Sequence, residues 1–166
     1  MTKIKTTKIP VITFTKITAN AVTLVAGTTP SSLVADLQTR FDGDLYHIDE
    51  VAAAPGMDLI IDFISVTAFN WVDISAYYKG STSHAGITIQ LWNWNSSAWD
   101  TFTFYVHHST VGTLADDMIG SIFFVPDDTN YIGTGGNTGE VRVKMVHIAM
   151  GNSAHDHDID VVALYI

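Results

Sequence analysis

Between residues 155 and 160 the chain reads HDHDID, two histidines and three aspartates in six positions. In an extended strand successive side chains point to opposite faces. His155 and His157 would then share one side, and Asp156, Asp158 and Asp160 the other. Two imidazoles at i and i+2 match the spacing of zinc or copper sites built on strands. His107, His108 or His147 could bring a third ligand from elsewhere in the chain. The alternative is the polar entrance of a strand at a sheet edge, because the run follows a Gly151–Asn152 turn and continues the alternation of Ile159–Ile166. That second reading is the expectation carried forward: no metal and no cofactor, with His155 and His157 the candidates if an ion binds.

Other polar clusters are weighed the same way. Asp42 and Asp44 in FDGDLYH, and Asp127, Asp128 and Asn130 in PDDTNY, offer two or three oxygens each, where calcium wants six to eight. Aspartate and asparagine also fill turns for backbone reasons alone. His84, on the GSTSHAG stretch, reads as a solvated turn residue. Trp92, Trp94 and Trp99, with Gln90, could stack against sugar rings, contact another subunit, or simply pair across a hairpin. No nucleophile elbow, phosphate loop or zinc-protease helix is present. Glu50 and Glu140 are the only glutamates and there are no cysteines. The expectation is a protein that is not an enzyme.

At 166 residues the chain has the length of one domain, and 47% hydrophobic residues with 15% charged exclude a disordered chain. No apolar run reaches the roughly 18 residues of a membrane helix. MTKIKTTKIPVITFTK lacks the continuous apolar stretch of a signal peptide, so synthesis in the cytoplasm is expected. Charge is split: the first 35 residues carry +4 through Lys3, Lys5, Lys8 and Lys16, and the other 131 carry −13. An acidic body repels phosphates, so no nucleic-acid partner is expected. The basic segment suits docking on an acidic protein neighbour.

Short alternating runs separated by glycine, asparagine and serine mark an all-β chain. Strands are expected at 9–17, 21–25, 45–51, 57–66, 71–79, 86–94, 99–106, 118–125, 140–150 and 159–166, with a serine-capped helical turn at 31–38. Two packed antiparallel sheets follow, with residues 1–35 as an extended basic arm and 36–166 as the sandwich. Around the NSSA loop the spacing pairs Trp94 with Trp99, Leu91 with Phe102, Thr88 with Tyr105 and Ile87 with Val106. This puts an apolar face opposite a tryptophan–threonine–glutamine face. In 140–150 the alternation turns His147 inward, as a hydrogen-bonded core histidine. In the last strand Val162, Leu164 and Ile166 oppose Ile159, Val161, Ala163 and Tyr165. Both faces are apolar, so a second cover is needed, from the arm or from a neighbouring subunit.

YHIDE (Tyr46–Glu50), IQLWNWNSSAWDTF (Ile89–Phe102) and GEVRVKMVH…GNSAHDHDIDVVAL (Gly139–Leu164) resemble jelly-roll β-sandwich modules of tailed-phage virion proteins and carbohydrate-binding modules. The likeness spans Val34 to Ile166 and describes a scaffold with no shared catalytic set. It implies a virion accessory protein, a capsid decoration or head/tail subunit, bound to the major capsid protein or other virion subunits and forming a homo-oligomer. The contact residues expected on that reading are Lys3, Lys5, Lys8, Ile12 and Phe14 of the arm, and Trp92, Trp94 and Trp99 of the hairpin. The alternative is a carbohydrate-binding module in which the same tryptophans hold a surface glycan.

Overall fold

The computed structural model describes the backbone of residues 14–29, 32–79, 86–106 and 119–166, with side chains except at 77–79, 103–106 and 119–121. Its strands are β1 (Lys16–Thr18), β2 (Ala21–Ala26), β3 (Tyr46–Asp49), β4 (Met57–Phe63), β5 (Trp71–Lys79), β6 (Ile87–Asn93), β7 (Ala98–Val106), β8 (Ile119–Phe124), β9 (Val141–His147) and β10 (Asp156–Tyr165). They form two antiparallel sheets packed as a sandwich, as the alternation predicts. Sheet A runs β1-β10-β5-β8, with β3 also on β10; sheet B runs β2-β4-β9-β6-β7. Met57, Leu59, Ile61 and Phe63 of β4 and Val141, Val143 and Met145 of β9 point inward. They meet Val72 and Ile74 of β5 and Ile159, Val162 and Leu164 of β10 in one core cluster. Two sheets with one apolar face each have no other way to hide both from water.

Three expectations change. First, the β6–β7 register matches at Ile87↔Val106 and Thr88↔Tyr105, but a bulge then brings Ile89 opposite Phe102 and Trp92 opposite Trp99. A slip of one residue would reverse the faces, whereas this slip of two preserves them, so hydropathy does not distinguish the two pairings. The turn settles it. Trp94 leaves the ladder, and its indole N–H donates to the carbonyls of Tyr131 and Glu140, both at 3.1 Å. Asn93 Oδ1 accepts the N–H groups of Asn95 and Ser96 at 3.0 and 3.1 Å.

Second, β10 begins at Asp156, and HDHDID is not the solvated end of an edge strand. β10 lies between β5 on one side and β3 and β1 on the other. A bulge between Ile159 and Val161 changes the phase, so Ile159 joins Val162 and Leu164 on the core side. Val161 and Ala163 face outward, yet they are buried.

Third, part of their cover comes from within the chain, from β1 and from residues 33–41, most of which the sequence places in the sandwich. β3 pairs with Asp156–Ile159 and β1 with Ala163–Tyr165, which leaves a gap along β10. A 3-10 turn at Val34–Leu37 packs there, with Leu37 fully buried in the core cluster. Lys16 Nζ donates to the Gln38 carbonyl and Gln38 Nε2 to that of Ala19. Arg40 pairs with Asp73, and the Phe41 N–H donates to Asp160 Oδ1 at 2.9 Å. The turn is not capped by serine: Asp36 accepts the Leu33 N–H at 2.7 Å, while Ser32 exchanges hydrogen bonds with the His47 backbone. Residues 16–26, counted with the arm in the sequence reading, supply one strand to each sheet.

Leu37→Ala should destabilise the fold by about 2–5 kcal/mol, measured by denaturant unfolding. A loss below about 1 kcal/mol would show that the turn is not holding β10 covered.

Candidate functional site

The β3–β10 ladder sets Ile48 opposite His157, His47 opposite Asp158 and Asp49 opposite Asp156. Period-two alternation then divides the polar residues of both strands between the interior and the outer face of sheet A. The two sides have different chemistry.

Inside, Glu50 is fully buried beside three histidines. His157 Nε2 lies 2.9 Å from Glu50 Oε1. His147 Nδ1, from β9 of the other sheet, stands 3.0 Å from the same oxygen. On Oε2 the Asn152 N–H donates at 2.9 Å, and His155 Nδ1 stands 3.7 Å away. Asn152 Oδ1 accepts the Ala154 N–H at 3.0 Å, which orients its amide so that Nδ2 donates to His155 Nε2 at 3.2 Å. The proton of a neutral His155 therefore sits on Nδ1, toward Glu50. His147, His155 and His157 are each at most 5% exposed. This arrangement joins the candidates His155 and His157 to His147. Its centre is occupied by a carboxylate oxygen, so it is a buried polar hub between the two sheets. Its burial keeps it away from any substrate.

Glycines make the hub possible. A Cβ on Gly151 would lie 2.5 Å from both Gly56 Cα and the Val51 carbonyl oxygen, and 3.0 Å from Glu50 Oε2. One on Gly56 would lie 2.8 Å from His147 Nδ1. The two loops can close over Glu50 only without side chains.

Outside, His47 Nδ1 is 2.5 Å from Asp158 Oδ1 and His47 Nε2 is 2.9 Å from Asp49 Oδ1. Burial lowers the His47 pKa, but hydrogen bonds to Asp158 and Asp49 outweigh it and the net shift is upward. Asp156 is raised, first by burial and then by a hydrogen bond to Asp49. Among the described residues, His47, Asp49 and Asp156 are the group whose ligand atoms all lie within 4.8 Å of one another. Sequence reading passed over all of Tyr46–Glu50 as chemistry. The available signal was the i, i+2 pair His47 and Asp49, which mirrors HDHD.

The outer faces of both sheets carry aromatics. On sheet B, Trp92 and Trp99 meet edge to face at 5.2 Å, with Lys144 Nζ 5.2 Å from the Trp99 ring and Gln90 hydrogen-bonded to Thr101. Arg142 lies over Trp94, 4.9 Å from its ring centre. On sheet A, the register lines up Lys16, Tyr165, Trp71 and Phe124 across four strands. Trp71 touches Phe124 at 5.0 Å and Phe14 touches Tyr165 at 6.4 Å. Phe14, Phe124 and Ile122 are 57%, 51% and 61% exposed. Of the other sequence candidates, Asp42 accepts the Asp44 N–H at 3.1 Å, Asp127 accepts that of Thr129 at 3.1 Å and Asp128 accepts that of Phe69 at 2.8 Å. These are turn and loop roles. Lys3, Lys5, Lys8, Ile12, His84, His107 and His108 lie outside the described residues.

No family model and no curated relative matches the chain. Among solved structures, the enzymatically active domain of bacteriophage CBA120 tailspike protein 4 is 10% identical over 92% of this chain, with a TM-score of 0.41. The match spans only 19% of that protein. The xylan-binding module CBM15 is 15% identical over 89% of this chain and 97% of its own, with a TM-score of 0.44. The family 32 CBM from C. perfringens NanJ, in complex with galactose, is 10% identical over 92% of this chain and 100% of its own, at 0.44. These are loose likenesses of architecture, and no site residue transfers from them.

Two measurements check the electrostatics. Glu50→Gln places an amide NH2 against buried donors, so it should cost at least about 1–3 kcal/mol in chemical unfolding. An unchanged stability would mean that Glu50 does not organise the hub. A raised folded pKa means that His47 contributes stability fully present below about 6.5 and lost as pH rises through the folded value. An NMR titration should find the His47 midpoint above 6.5 and lower in Asp158→Asn. Equal midpoints would remove Asp158 as a cause.

Proposed function

We propose that this chain is a non-catalytic β-sandwich module that docks on other proteins. Its setting would be the virion of a tailed phage, as a capsid decoration or head/tail accessory subunit. The supporting observation is the aromatic row on sheet A. Single exposed apolar residues need no explanation, but a contiguous row does. Tyr165, Trp71 and Phe124 present ring surface across three strands, with Phe14 against Tyr165 at one end and Ile122 near Phe124 on β8 at the other. Aromatic residues concentrate at the centres of protein interfaces, where expelling water supplies most of the affinity. The setting rests on the likeness of the 34–166 motifs to virion jelly-roll modules. Opposite charges on arm and body make a second copy an electrostatic match for the lysines, which suits a homo-oligomer.

Glycan binding is the second reading, favoured by the other face. Trp92 and Trp99 on sheet B stand among Gln90, Thr101 and Lys144, the mixture of ring faces and hydrogen-bonding groups that a sugar requires. Against it, Lys144 already covers Trp99, and Trp94 is held by the Tyr131 and Glu140 carbonyls.

One comparison separates the two. Wild type should co-sediment with virions of its phage, and Trp71→Ala/Phe124→Ser should bind at least about tenfold more weakly while remaining folded. A glycan array should be blank for both proteins. Undiminished virion binding by the double variant removes the sheet A row. An array signal that Trp92→Ala abolishes replaces protein docking with sugar recognition.

A further inference from the structure

The polar cluster on the outer side of the β3–β10 pair has a deficit that hydrogen bonding alone leaves open. Asp158 is buried, and its Oδ1 lies 2.5 Å from His47 Nδ1. With the Nδ1 proton donated there, Nε2 of a neutral ring is a lone pair. It stands 2.9 Å from Asp49 Oδ1, which also offers only lone pairs. Asp49 in turn contacts the carboxyl of Asp156. Three electron-pair donors therefore lie within 4.8 Å of one another, and with a neutral ring positive charge must come between them. Protons can supply it. A divalent cation can replace them in one step, since metal ligation displaces protons from the ligands.

We propose that His47, Asp49 and Asp156 bind a divalent first-row transition ion, with zinc as the representative. An imidazole in the set favours this class over calcium or magnesium, which prefer oxygen alone. Tetrahedral zinc with bonds of about 2.0–2.1 Å places its ligand atoms roughly 3.3 Å apart. The three ligand atoms here lie within 4.8 Å of one another, so small side-chain rotations close the site. All three residues are half-buried, which leaves room for water as a fourth ligand. Asp158 is the positioning residue: a carboxylate on the non-ligating nitrogen fixes the tautomer and aims the ring. The pairings His47↔Asp158 and Asp49↔Asp156 are set by the strand ladder, so ligands 107 or more residues apart in the chain are held by backbone rather than by a flexible loop.

The test is a calorimetric titration of zinc into chelator-stripped full-length protein. Elemental analysis and the visible absorption of the cobalt(II) form supply independent readouts. One ion per chain should bind, and it should raise the melting temperature. His47→Gln and Asp156→Asn should each abolish that ion, and Asp158→Asn should weaken it by about 10–100-fold. Asp156→Asn decides if His47→Gln does not fold. The proposal is overturned if zinc does not bind or if calcium binds as tightly. It is equally overturned if binding survives Asp156→Asn but is lost in His147→Gln, which would move the ion to the Glu50 hub.

Discussion

A carboxylate removed from water keeps its charge only if surrounding groups replace the lost hydration, and Glu50 sets that condition for much of this molecule. It follows directly on β3 of sheet A, takes a contact from His147 of sheet B, and accepts from the loop that leads into β10. Apolar burial holds the two sheets together without fixing their relative slide. The hub adds direction, because His157, His147 and Asn152 reach the same two oxygens from different elements. Gly56 and Gly151 show how tightly the loops must close for this.

The strand pair that carries the hub has two faces with separate work. Alternation turns His157 inward to Glu50 and leaves Asp156 and Asp158 beside His47 and Asp49. Charged residues on both faces of a strand normally argue against a central position in a sheet. Here each face has its own acceptors and donors, which lets β10 lie in the middle of sheet A. Farther along, the same strand becomes apolar on both sides and is sealed by residues 33–41.

How far the sequence reveals this depends on the range of the interaction. Strand positions are legible because Val72, Ile74 and Ala76, or Val141, Val143 and Met145, repeat at a local period. The inward turn of His147 is legible for the same reason. The β6–β7 register is legible only to within an even number of residues, and the Trp94 indole decides among those options through carbonyls 37 and 46 residues away. The bulge at Asp160 leaves no hydropathy signal, because Ile159 and Val161 are equally apolar. No spacing rule relates Glu50 to His157, 107 residues later. HDHDID reads as a solvated entrance because its burial depends on partners that only the tertiary fold brings near.

Thr15 and Ile166 exchange backbone hydrogen bonds, at 3.3 and 3.1 Å, so the two residues meet at one corner of the sandwich. That corner is also where Phe14 meets Tyr165. A fluorophore, purification tag or fused domain joined after Ile166 would therefore stand beside the aromatic row and shade it, while leaving the tryptophans of sheet B open. Internal attachment at an exposed turn such as Asn95–Ser97 reverses that choice. The position of Ile166 thus decides which surface a protein labelled there can still present.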